Sequence, residues 1–182
     1  MAVKTKLWEG TRDLHHACEQ HPIGQAMASG SPKIEVYYAW VDALSRLHKR
    51  LDPFMPEVLH RTKELREDLE DIIKSQQDVA EVKLNKAPPF AKYFAKGLQS
   101  CKNKQAGASY VLAGAGLMGG ALMVKALGDN YPTAHLQWED RRAALDALGE
   151  IRENGKVIKE ARECFAALLQ IMDEIEEMTK DA

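Results

Sequence analysis

A chain of 182 residues with 45% hydrophobic and 29% charged side chains can bury one substantial core, so a single domain spanning residues 1–182 is expected. Its 25 basic residues are offset by 27 acidic ones for a net charge of -2, and the basic residues are dispersed, which argues against nucleic acid or an anionic membrane as partner. Three cysteines (Cys18, Cys101, Cys164), far apart, form neither a C-x-x-C pair nor a disulfide framework, and the lysines of MAVKTKLWEG are followed by no apolar run. The expectation is a cytoplasmic protein without a secretory signal.

Taken in chain order, the apolar residues recur with the helical period almost everywhere, as in Ile34, Tyr37, Tyr38, Val41, Leu44, Leu47 and Leu51. Breakers at Ser31-Pro32, Asp52-Pro53, Pro88-Pro89, Gly128 to Pro132 and Asn154-Gly155 divide the pattern. The reading is of helices at about residues 3–19, 22–28, 32–51, 55–75, 88–101, 105–127, 132–148 and 156–179, with a polar loop over Ser75 to Ala87. No stretch reads as a convincing strand, so the expected fold class is all-α with about eight helices.

Within ASYVLAGAGLMGGALMVKAL, the run GAGLMG fits G-x-G-x-x-G at Gly114, Gly116 and Gly119. A dinucleotide-binding turn needs a buried strand before it and an acidic residue closing a second strand about 20 residues later, and this context supplies neither. A membrane span is also disfavoured, since the mean hydropathy of the chain is -0.39 and the other helices are amphipathic. What remains is a buried helix with five glycines between Gly107 and Gly120. Each costs about 1 kcal/mol against alanine in a helix interior, so close packing must compensate. Either another backbone comes near, or a planar cofactor lies against the bare face.

The first helix supplies a possible second half. In LWEGTRDLHHACEQHP, His15 and Glu19 are four residues apart on one face, so the carboxylate can hold the Nδ1 proton and aim Nε2 outward, as for a metal-ligating imidazole. His16, His21, His48, His60 and His135 read as ordinary surface or core histidines.

These two segments carry a resemblance. Leu7, Thr11, His15 and Glu19 stand as L-x-x-x-T-x-x-x-H-x-x-x-E, which resembles the proximal helix of the heme oxygenases. YVLAGAGLMGGAL resembles their distal helix, especially the bacterial form Y-V-L-E-G-S-x-L-G-G, and Trp138 in LQWEDRRAALDAL and the closing IKEARECFAALLQIM resemble the later helices of bacterial members. The resemblance implies a single-domain heme oxygenase-like bundle with heme, both substrate and cofactor, between the first helix and the glycine-rich one. It implies oxidative opening of heme to biliverdin, iron and carbon monoxide, using O2 and electrons from a ferredoxin or an NAD(P)H-dependent reductase, with heme storage or sensing on the same fold as the alternative. His15 would be the proximal iron ligand, Glu19 its orienting partner, and Gly114 the point where the distal helix bends over the ring. Lys6, with Lys159 or Arg162, would meet the heme propionates, and Tyr110 would donate a hydrogen bond near that edge.

The sequence departs from the family pattern at the distal helix. Ungapped, Ala115 stands where many members carry aspartate and some bacterial ones serine, and Met118 replaces the first glycine of the pair completed by Gly119. Methionine there either fills the pocket or brings a thioether toward the iron. Sliding by one residue restores Gly119-Gly120 as the pair but still supplies no acid.

Overall fold

A computed structural model describes residues 5–76 and 86–180. Eight helices follow in order: α1 (Lys6–Gln20), α2 (Pro22–Ala28), α3 (Ile34–Leu51), α4 (Thr62–Gln76), α5 (Pro89–Gly97), α6 (Lys102–Leu127), α7 (Arg141–Gly149) and α8 (Gly155–Met178). There is no strand among the described residues. The helix starts carry side-chain caps where the sequence provides them. Thr5 accepts from the Trp8 amide at 3.1 Å, Asp140 from Ala143, and Asn154 from both Lys156 and Val157.

Helix α8 is the axis of the bundle. Its buried residues Val157, Ala161, Cys164, Leu168, Ile171 and Ile175 recur at three- and four-residue spacing, the pattern that buries a continuous stripe. Both α1 and α6 pack on it, and α3 and α5 also lie against it, whereas α1 and α6 meet each other only sparsely.

Two helices begin later than the periodicity predicts. Helix α4 starts at Thr62 rather than residue 55, because Pro53 and Pro56 hold the chain in two short 3-10 turns, Asp52–Phe54 and Glu57–Leu59. The buried Asp52 carboxylate then accepts from the Arg61 and Thr62 amides at 3.0 and 2.9 Å and from the Thr62 hydroxyl at 2.6 Å, fastening the new helix start. Helix α7 starts at Arg141 rather than 132. Asp68 of α4 accepts from the amides of Ala134 and His135 and faces the His135 ring at 2.6 Å, tying the preceding segment down as a 3-10 turn, Ala134–Leu136. Of the loop expected over Ser75 to Ala87, Ser75 and Gln76 close α4, and residues 77–85 lie outside the described residues. Ala87 is anchored by its amide to the Asp42 carboxylate at 2.8 Å.

Helix α6 runs unbroken through all five glycines. By length and composition it is the one span among the described residues apolar enough to cross a membrane, and in this fold it packs against α8, α7 and the Ala134–Leu136 turn.

Candidate functional site

The glycines of α6 divide by what a Cβ would meet. At Gly107 it would fall 2.6 Å from the Ala161 amide nitrogen and 2.8 Å from the Glu160 carbonyl carbon, so here the α6 and α8 backbones touch. At Gly120 it would fall 2.9 Å from the Leu136 carbonyl oxygen, and at Gly116 it would reach the Trp138 indole at 3.6 Å. Gly114 first meets Leu148 at 3.9 Å, and Gly119 meets nothing within 4 Å. The close-backbone reading therefore accounts for Gly107 and Gly120, while Gly119 is bare. Around it α6 exposes Ala115, Met118 and Leu122, the last two at 58% and 75%. A stretch of helix that leaves such side chains uncovered while its other side is pressed against Trp138 and Leu136 presents a smooth apolar surface.

On α1, the His15 ring stands between two aromatic edges, 5.3 Å from Trp8 and 5.8 Å from Phe165 of α8. Its side chain stays 31% exposed. Glu19 reaches Nδ1 of His15 at 3.6 Å and, with its other oxygen, Nδ1 of His16 at 3.7 Å. Both are ion-pair distances rather than hydrogen bonds, so Glu19 is shared loosely between neighbouring imidazoles. His15 opens into a shallow depression of about 430 Å³ lined, all from α1, by Trp8, Arg12, Asp13, His15, His16 and Glu19.

The cations are arranged differently from the expectation. Arg162 grips Asp13 through two bonds of 2.7 and 2.9 Å and donates to the Gly10 carbonyl, and its hydrogen bond holds the Asp13 carboxyl down at about 2. Lys159 is exposed and pairs with Glu163 at 3.8 Å. Lys6 is exposed at the start of α1, where its backbone amide donates to Glu153. Arg12 was not singled out from the sequence. It lines the His15 depression and has no carboxylate partner among the described residues. Its position three residues before His15 was the available signal. The remaining histidines are structural or superficial: His48 and His135 are buried against Asp52 and Asp68, His21 meets Asp173, His60 meets the Met55 carbonyl, and His16 is exposed.

Two joints place α1 and α6 relative to each other. At one end the Tyr110 hydroxyl lies beside those of Thr5 and Thr11; burial raises its pKa, and the two threonines act in the opposite direction. At the other, Gly30, after α2, adopts φ +74° and presses against the Ala126 carbonyl, a contact open only to glycine. Between the joints, one arm carries His15 and the other carries Gly114, Ala115, Met118, Gly119 and Leu122.

No protein-family model and no curated protein matches the sequence. Solved structures do match. Heme oxygenase-1 from the cyanobacterium Synechocystis sp. PCC6803, in complex with heme, superposes with a TM-score of 0.75 at 19% identity over 95% of this chain and 91% of that one. Heme oxygenase from Leptospira interrogans gives 0.75 at 17% identity, over 96% of this chain and all of that one (100%). Heme oxygenase-2 from Synechocystis sp. PCC 6803, in complex with heme and NO, gives 0.70 at 19% identity, over 96% and 85%. The chain has the heme oxygenase fold.

At this identity the likeness concerns the fold, and the fit of heme has to be judged on the residues present. A partly exposed imidazole with a carboxylate beside Nδ1 is a suitable iron ligand. A bare glycine among Ala115, Met118 and Leu122 suits the flat, apolar face of a porphyrin, and an unpaired Arg12 suits its carboxylates. On these grounds the residues fit heme. The same heme oxygenase fold here lacks any side-chain acid or hydroxyl at Ala115, Met118, Gly119 and Leu122.

Proposed function

We propose that this protein binds heme between α1 and α6 and opens the ring oxidatively, as a biliverdin-producing heme oxygenase that releases iron and carbon monoxide. The observation that carries the proposal is the occurrence, on this fold, of His15 and the bare Gly119 stretch in the same span between the two joints. Heme, when bound, supplies the oxygen-activating iron and is itself the carbon skeleton consumed. His15 would hold the iron through Nε2; Trp8 and Phe165 flank its ring, and Glu19 places a carboxylate 3.6 Å from Nδ1.

Arg12, with Lys6 and Lys159 as more distant cations, would bind the propionates, and Tyr110 would donate a hydrogen bond from the edge of the site. Gly114, Ala115 and Gly119 would let the ring lie close to α6, excluding bulk water and confining the reacting edge. With no acidic side chain there, protons reach the site through water. The electron donor would be a ferredoxin or an NAD(P)H-dependent reductase, and a reducing cytoplasm suits three free thiols.

Met118 favours a second reading. A thioether exposed on α6, where the heme oxygenase pattern has a glycine, would offer the iron a second protein ligand, which would give a heme carrier or sensor of the same fold. Absorption spectra of the protein with one equivalent of hemin, followed in air after addition of ascorbate or a ferredoxin system, separate the two. Decay of the Soret band into the broad red absorption of biliverdin supports the oxygenase. A stable low-spin spectrum supports the carrier, and absence of binding refutes both.

A further inference from the structure

Among the described residues only two buried side-chain polar atoms lack a hydrogen-bond partner, the Trp138 indole nitrogen and one carboxylate oxygen of Glu160. A carboxylate keeps a second oxygen for its bonds, whereas an indole has a single donor and no acceptor, so Trp138 leaves its whole hydrogen-bonding capacity unused. Buried donors are normally satisfied, and each exception asks for a reason. The indole is not free to turn toward an acceptor elsewhere. Arg61 lies over its ring, 4.0 Å from the centroid, and Arg61 is itself held by the Gln137 carbonyl at 2.8 Å and by Glu64 at 3.6 Å.

The same nitrogen marks a second anomaly, on α6. A Cβ at Gly116 would stand 3.7 Å from Nε1 and 3.6 Å from Cζ2, ordinary van der Waals contact, so packing permits alanine, the better helix former. Gly116 thus leaves a space the size of a methyl group against the N–H edge of the indole. Gly119, three residues on and therefore beside it on the helix surface, is the bare glycine of the candidate site. We propose that Trp138 is a positioning residue for the heme reaction, a role that rests on the heme reading above: its N–H anchors a water molecule in the space that Gly116 leaves. That water, at the border of the bare stretch, offers the hydrogen bond that no side chain at Ala115, Met118, Gly119 or Leu122 can supply.

The chemistry suits an anchor rather than a relay. An indole nitrogen donates and does not give up its proton near neutrality, so it orders the water while protons pass along water alone. A water that accepts from Trp138 keeps both its own hydrogens to donate, and accepting strengthens the bonds it makes in turn. Arg61 adds to this, because a cation over the face of the ring draws electron density from the indole and sharpens its N–H as a donor. A tryptophan serving only as a platform for Arg61 needs the ring but not the nitrogen, and leaves Gly116 without a reason.

The test separates the nitrogen from the ring. In the 15N-labelled heme-free protein, the indole N–H signals of Trp8, Trp40 and Trp138 are assigned with Trp138→Phe and Trp40→Phe, and magnetisation transfer from water reads which of them touches a long-lived water. We expect that contact at Trp138 and its loss in Gly116→Ala, whose methyl takes the water's place without lowering the melting temperature. In the hemin-loaded protein, reduced under carbon monoxide, Trp138→Phe keeps a ring beneath Arg61 and should raise the carbon monoxide stretching frequency, as loss of a nearby donor does. Trp40→Phe on α3 should leave it unchanged. Gly116→Ala carries the same reading should Trp138→Phe fail to fold. Absence of a water contact at Trp138, a contact indifferent to Gly116→Ala, or a stretching frequency indifferent to both substitutions overturns the proposal. Failure to bind hemin with the water contact intact would refute the heme reading alone.

Discussion

The ring of Phe165 meets that of His15 edge-on, with 5.8 Å between centroids and 87° between planes. Phe165 is 5% exposed and belongs to the core stripe of α8, so a rigid element sets the plane of a side chain that is itself partly free. The two positions should therefore respond oppositely. His15→Ala is expected to change unfolding free energy by no more than about 0.5 kcal/mol while abolishing the normal hemin spectrum. Phe165→Ala is expected to cost about 3–5 kcal/mol in denaturant titration, and Phe165→Leu to keep the fold but loosen hemin. An unaltered hemin spectrum in His15→Ala would refute the ligand assignment.

The glycines of α6 provide an internal control. Gly119→Ala has open space to fill and should raise stability by about 0.5–1 kcal/mol while weakening hemin binding, because the new methyl stands on the bare face. Gly107→Ala drives a methyl into the α8 backbone and should cost about 1–3 kcal/mol or more. Thermal melting with and without hemin checks both; equal effects at the two positions would contradict the division.

Met118 decides between turnover and storage. If its sulfur caps the iron, Met118→Ala should convert a low-spin hemin spectrum into a high-spin one and speed reaction with oxygen. If it only fills space, the spectrum is unchanged and hemin affinity falls modestly.

Acid sensitivity should centre on Asp52. Burial raises the pKa of this carboxyl, but His48 at 2.9 Å and the Thr62 hydroxyl and amide together outweigh burial and hold it below the ordinary 3.8. The unfolded chain takes up this proton at higher pH than the folded one. The stabilisation is thus complete above about 3.8 and disappears as pH falls through the lower folded value. Asp52→Asn should be less stable than wild type near neutrality and should lose that deficit progressively below 3.8, read from denaturant titrations across that range.

The helical class was legible because apolar spacing is local, as in the Val157 to Ile175 stripe of α8. The late starts of α4 and α7 were not, because they depend on Asp52 and Asp68, carboxylates whose amide partners lie 9 or more residues away. His15 and Glu19 could be paired from their spacing, but not the division of Glu19 with His16, which depends on rotamers. Arg162 looked free in sequence because Asp13 is 149 residues distant, and Arg12 went unnoticed because isolation is visible only once every neighbour is placed.

The Tyr110 joint and the Gly30 joint have a wider meaning. Because neither includes a ligand, the placement of α6 against the α1–α2 arm is set during folding and does not wait for an occupant. The side chains at Ala115, Met118 and Leu122, which belong to neither joint, are free to change without disturbing that placement.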